Sequence, residues 1–134
     1  MPATLVLDSH ALLKLLRDEP GAETVGQILE QAGQRDRPVH MTEVNYAEVQ
    51  YVVRRKDGDT AWRTIAEELV AAPIQFHPAD RRLAEIAADF KARFKISLAD
   101  AFAAALAKEK KAELVTGDPE FKALEKEIKI NWLK

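Results

Sequence analysis

Of the 22 acidic residues in this chain, four stand in company that is unusual for an acid: Asp8, Glu48, Asp100 and Asp118. Asp8 follows the apolar run Leu5-Val6-Leu7. A helix is expected after it, so N-capping explains Asp8 taken alone. Glu48 falls between Val44, Ala47, Tyr51 and Val52 at helical spacing, which sets its carboxylate on the expected buried face of that helix. Glu43, which shares a face with Gln50 and Arg54, is expected in solvent. A buried carboxylate needs a cationic partner, either a buried Arg or Lys or a metal ion. Ser97-Leu98-Ala99-Asp100 has the form of a capping box with Asp in the last place. The small residues Ala103, Ala104 and Ala107 line the same helix face and leave room for a ligand or another chain element. Asp118 follows Leu114-Val115-Thr116-Gly117 and precedes Pro119, the pattern of an N-cap with proline in the first turn. Capping accounts for three of the four singly. It does not account for Glu48. Gathered together, the four would repel one another unless cations lay among them, and hard divalent ions accept such carboxylates.

The elements that must position these acids alternate in type. Strands are expected at 4–7, 38–41, 73–76, 113–116 and 128–133. Helices are expected at 10–17, 22–34, 42–56, 60–72, 78–94 and 97–111, with a short one from Pro119 to about Leu124. Glu19-Pro20-Gly21 breaks the first helix and Asp57-Gly58 ends the third. The segment Leu98–Ala107 is apolar nearly all round and is expected inside. Alternating strands and helices point to an α/β fold with a mostly parallel sheet. Asp8 and Asp118 then fall at the carboxyl ends of two strands, where such sheets bind ligands.

The length of 134 residues suits a single domain over 1–134. No apolar run is long enough to span a bilayer, and the start lacks the features of a signal peptide. With no cysteine there is no disulfide and no thiolate metal site, which fits a cytoplasmic protein. The net charge of −2 gives no global attraction for nucleic acid, so RNA binding would need local basic patches or bound cations. His10, His40 and His77 show no metal-ligand spacing and read as surface or strand-edge residues. The cations Arg54-Arg55-Lys56 and Lys108, Lys110 and Lys111 sit where helix C-termini favour positive charge. Lys14 and Arg17 are the candidates for phosphate contact near Asp8.

Read in order, four segments resemble the PIN-domain family, and within it the VapC-type toxins of toxin–antitoxin pairs. They are Leu5-Val6-Leu7-Asp8-Ser9, Asn45-Tyr46-Ala47-Glu48-Val49, Ser97-Leu98-Ala99-Asp100-Ala101, and Leu114 to Phe121. The resemblance covers essentially the whole chain. It implies a three-layer α/β/α fold around a five-stranded, mostly parallel sheet. It also implies a Mg2+- or Mn2+-dependent endoribonuclease that cuts structured RNA, such as tRNA or rRNA, by in-line attack of a metal-activated water. Asp8, Glu48, Asp100 and Asp118 match the family's acidic quartet as catalytic and metal-holding residues. Thr116 matches its Thr or Ser, which orients an acid or a water. Some members carry one more acidic or Asn residue a few positions after the third acid; here Ala103 and Ala104 fill that stretch, which leaves open whether one or two metals bind. His10 stands where a small residue is frequent. The resemblance further implies a homodimer and a cognate antitoxin, received on apolar surface of the early helices.

A non-catalytic PIN-like module that binds RNA or protein is the alternative from another class. A haloacid-dehalogenase-type phosphatase would want a second Asp two residues after Asp8, where His10 stands. A receiver domain would want an acidic pair near the first strand end and a Lys after a late strand, and the chain has neither in place.

Overall fold

The structure, a computed structural model, describes residues 3–134. Residues 1 and 2, which the single-domain reading includes, lie outside the described residues. The strands are β1 (Leu5–Leu7), β2 (Val39–Thr42), β3 (Ile74–His77), β4 (Glu113–Thr116) and β5 (Lys129–Trp132). The helices are α1 (Ser9–Leu16), α2 (Ala22–Gln34), α3 (Glu43–Asp57), α4 (Asp59–Ala71), α5 (Arg81–Arg93) and α6 (Leu98–Lys110), with a 3₁₀ helix at Pro119–Leu124. The α/β expectation holds, with every strand pair parallel.

The five strands lie in the order β3-β2-β1-β4-β5. After β1 the chain builds outward through β2 and β3, then returns to the other side of β1 for β4 and β5. The order therefore reverses between β1 and β4, which leaves a crevice at their carboxyl ends. Asp8 directly follows β1, and Asp118 lies two residues beyond β4.

Alternation along the strands feeds both faces. Val6 and Leu114 point into a core shared with α5 and α6, with Phe90, Phe102, Leu106 and Phe121. Leu7 and Val115 point the other way, against Ala11 of α1 and Val25 of α2. A third cluster joins Leu12, Met41, Val49, Val53, Trp62 and Leu69 and seats α3 and α4. Tyr46 meets Trp62 and Phe76 edge-on at 5.6 and 5.1 Å, fixing α3 against α4 and β3.

The caps behave as local chemistry dictates. Asp8, Thr42, Asp80 and Ser97 each accept a backbone N–H at the start of α1, α3, α5 and α6. Asp80 sets the start of α5 at Arg81, later than the expected residue 78. Gly58 ends α3 at φ 95°, a conformation open to glycine, and its N–H bonds the Arg54 carbonyl at 3.2 Å.

Two expectations need correction. The buried face of α3 is Asn45, Val49 and Val53, so Glu48 is half-buried, while Ala47 and Tyr51 face solvent. The interior accepts Asn45 because its polar atoms are all matched, as described below. The small-residue lane of α6 is also filled: Ala103, Ala104 and Ala107 are buried in the core shared with α5 and the sheet, and leave no room for a ligand.

Candidate active site

Asp8 is fully buried and both its oxygens are engaged. Oδ1 accepts from the Ala11 N–H at 2.7 Å, and Oδ2 accepts from the Thr116 hydroxyl at 2.5 Å. Thr116 Oγ1 in turn accepts from the Asp118 N–H at 3.0 Å. One hydroxyl thus ties the end of β1 to the turn after β4. The Asp118 side chain caps the 3₁₀ helix by accepting from the Glu120 N–H at 3.0 Å.

Asp100 reaches the same crevice from the first turn of α6, where the Ser97 hydroxyl accepts its backbone N–H at 3.1 Å. Only 9% of Asp100 is exposed. Carboxylate oxygens of Asp100, Asp118 and Glu120 lie within 4.8 Å of one another. Glu48 stands at the rim, close enough to act electrostatically on Asp100, and its Oε2 accepts from the Tyr51 hydroxyl at 3.3 Å. The four acids singled out in the sequence therefore converge on one crevice, with Glu48 at its edge. Glu120 is the acid the sequence reading passed over. Its signal was present in Asp118-Pro119-Glu120, because a tight capped turn brings the second acid back beside the first.

Burial and like charge dominate the electrostatics. Desolvation pushes the Asp8 carboxyl from its ordinary 3.8 up to about 7, and Asp100 and Asp118 push it further. The hydrogen bonds from Thr116 and Ala11 pull against that. Asp100 also rises to about 7, first through burial and then through Asp118, Glu48 and Glu120, against a Ser97 hydrogen bond. Ion pairs elsewhere answer many of the surface charges, but among the described residues none includes Asp8, Glu48, Asp100, Asp118 or Glu120. The Arg or Lys partner that a buried acid could have had is absent among those residues.

A neutral network holds this charged crevice in place. Asn45 is fully buried, and its Nδ2 donates to Ser9 Oγ at 3.0 Å and to the Ala99 carbonyl at 3.1 Å. Its Oδ1 accepts from the Thr42 hydroxyl, whose oxygen accepts the Asn45 N–H at 3.0 Å. Ser9 adjoins Asp8 and Ala99 adjoins Asp100, so one side chain fixes the relative placement of three helix starts.

His10 covers one side of the crevice. Its ring lies against Gly117, where a Cβ would stand 3.1 Å from His10 Cε1. Its Nδ1 is buried without a hydrogen-bond partner. Burial and Lys14 lower its affinity for a proton, while Asp118, Glu19 and Glu48 act in the other direction. Arg17, a candidate for phosphate contact, is instead tied to Asp57 at 3.0 Å and Glu19 at 3.4 Å. His40 and His77 bond each other, Nδ1 to Nε2 at 2.8 Å, away from the acids and across β2 and β3. The large apolar side chains exposed among the described residues are Tyr51, Val70 and Leu98, on α3, α4 and α6 rather than on the early helices.

The family profile described as PIN domain matches residues 5–127. The chain belongs to the PIN domain family. Solved structures agree on the fold. VapBC2 from Rickettsia felis, bound to a DNA fragment from its promoter, is similar with a TM-score of 0.78 at 16% identity, covering 98% of this chain and 99% of that one. DNA-bound VapBC from Salmonella typhimurium has a TM-score of 0.74 at 14% identity, with 99% and 100% covered. Mycobacterium tuberculosis VapC20, a sarcin-ricin loop cleaving toxin, has a TM-score of 0.71 at 17% identity, with 90% and 94% covered. No curated protein matches the sequence of this chain. No helix among the described residues is long and apolar enough to cross a membrane.

The donor set in this PIN-domain crevice is all oxygen, and its buried members have no cationic partner among the described residues. That is the chemistry a hard divalent ion fits.

Proposed function

We propose that this PIN-domain protein is a Mg2+- or Mn2+-dependent endoribonuclease, the toxin of a toxin–antitoxin pair, acting on structured RNA in the cytoplasm as a single domain over residues 1–134. The observation that carries the reading is the convergence of Asp8, Asp100 and Asp118, with Glu48 and Glu120, at the switch point of the sheet, with no Arg or Lys paired to any of them among the described residues.

Asp100, Asp118 and Glu120 would hold the cation, with Asp8 and Glu48 completing the acidic wall. When bound, such an ion supplies positive charge and Lewis acidity for attack at phosphorus. The chain's own groups do the rest. Thr116 holds Asp8 in one orientation, and Asn45 keeps α1, α3 and α6 in register around it. Burial and neighbouring acids raise the Asp8 and Asp100 carboxyls to about 7, so these groups would have to give up their protons to face a bound cation. The net reaction adds water across a phosphodiester, breaks the bond to the 3′ oxygen, and leaves 5′-phosphate and 3′-hydroxyl ends.

The partner assignments rest on the company of the fold. Among the similar structures are toxin–antitoxin complexes, one of them from Klebsiella pneumoniae. A cognate antitoxin for this chain, and a homodimer of it, are part of the same proposal.

The test is cleavage of a structured RNA by purified protein with Mg2+ or Mn2+. Asp8→Ala and Asp100→Ala are each expected to lower the rate at least about 10²–10³-fold, the scale of losing one preorganised hydrogen bond to the transition state. Expression of wild-type protein is expected to arrest growth, and Asp8→Asn to relieve the arrest. Equal cleavage by both Ala variants overturns the reading. RNA binding with no cleavage in either metal assigns the chain to the non-catalytic alternative.

A further inference from the structure

The exposed face of α3 leads away from the acidic crevice, and its chemistry is not explained by the fold. Glu48, Tyr51 and Arg55 are spaced i, i+3 and i+7, so they share one face. The Tyr51 hydroxyl donates to Glu48 Oε2, and the Arg55 guanidinium lies 5.0 Å from the centroid of the Tyr51 ring. Tyr51 is 45% exposed. An open groove of about 330 Å³ runs beside it, lined by Tyr51, Arg54, Arg55 and Asp59. Arg54 is held by Asp59 at 2.9 Å, whereas Arg55 has no carboxylate partner among the described residues.

We propose that this strip is an RNA subsite in which Tyr51 stacks an unpaired base and Arg55 takes the adjoining phosphate. The proposal rests on the ribonuclease reading and names where its substrate lies. A helix C-terminus accounts for a cation at Arg55. It does not account for an exposed aromatic ring beneath that cation and bonded to an acid of the crevice. Aromatic rings and guanidinium planes are the surfaces on which unpaired bases stack. About 10 Å of helix axis separates Glu48 from Arg55, which puts the strip next to the crevice rather than at a remote site. Three of the four side chains that line the groove are charged and the fourth is an aromatic ring, a set that suits a base and its phosphate. A paired base offers no free face, so the base that Tyr51 takes belongs to a loop or bulge.

The experiment uses the full chain carrying Asp8→Asn, so that RNA is not consumed, and a short fluorescent single-stranded RNA of mixed sequence in Mg2+. Adding Tyr51→Ala should weaken binding about thirtyfold, the middle of the range for losing one base stack. Adding Tyr51→Phe, which keeps the ring and loses the bond to Glu48, should restore most of that affinity. Adding Arg55→Ala should flatten the salt dependence by about 0.7 in the slope of log K against log salt. A fully paired RNA should show no dependence on Tyr51. Equal affinity with Tyr51→Ala, a loss as large with Tyr51→Phe, or no RNA binding at all overturns the subsite. So does a Tyr51→Ala protein that binds RNA normally but loses self-association or antitoxin binding, which would make the strip a protein interface. Whether the wild-type protein cleaves RNA is read separately, so a failed subsite and a failed ribonuclease reading give different results.

Discussion

The two ends of the sheet treat acids in opposite ways. At the amino end, Glu113 begins β4 and meets Lys129 at 3.1 Å and the Asn131 side-chain amide at 3.3 Å, so its charge is answered on the neighbouring strand. At the carboxyl end of the same strand, the Thr116 hydroxyl donates a hydrogen bond to Asp8, and among the described residues the acids beyond it meet hydroxyls, backbone N–H groups and one another. Charge is matched by charge at one end and by a neutral scaffold at the other. The first arrangement is complete in itself. The second leaves like charges together in a buried place, which is unfavourable to the folded chain and useful only to something positively charged that enters.

The scaffold gives the largest way to break that contrast. Asn45→Ala removes three hydrogen bonds and leaves the Thr42 and Ser9 hydroxyls short of partners. A loss of about 2–3 kcal/mol is expected in urea unfolding. RNA cleavage should fall further than stability, because the starts of α1, α3 and α6 lose their common tie. A smaller change comes from pH. Asp8 and Asp100 have folded values of about 7 against 3.8 for a free Asp, so the folded state binds more protons than the unfolded one between those values. Stability without metal must therefore fall as pH rises through 7. His40 and His77 work in the other direction. Burial lowers both, His40 to about 4, so their contribution is lost only as pH falls below 6.5. Between pH 6.5 and about 8 the decline belongs to the two acids, at about 1.5 kcal/mol together. Thermal melts in EDTA should show it, Asp100→Asn should flatten it, and Mg2+ or Mn2+ should abolish it. The smallest effect is at the amino end. Glu113→Gln removes one half-exposed pair, costs less than about 1 kcal/mol, and leaves metal-dependent cleavage as it was.

What could be read from the sequence follows the range of the interactions involved. The strands, the caps at Asp8, Ser97 and Asp118, and the stop at Gly58 depend on residues a few positions apart, and all appear as expected. The burial of α3 depends on partners far away in the chain. Asn45 is matched by Ser9, 36 residues distant, and by Ala99, 54 residues distant, so a polar side chain takes the interior. Counting Ala47 and Tyr51 as apolar then rotated the inferred stripe and placed Glu48 too deep. Glu48 is therefore less buried than its apolar neighbours imply, although it does stand at the crevice. The His40–His77 bond joins two strands 37 residues apart and has no local signal. Glu120 was hidden by the turn that brings it back to Asp118.

The contact between His10 and Gly117 carries a consequence for substitution. With an imidazole at position 10, any side chain at position 117 would start 3.1 Å from that ring. Gly117→Ala therefore asks the His10 ring to give by a few tenths of an ångström. His10→Ala removes that demand, so the two changes made together should cost less than the sum of their separate effects.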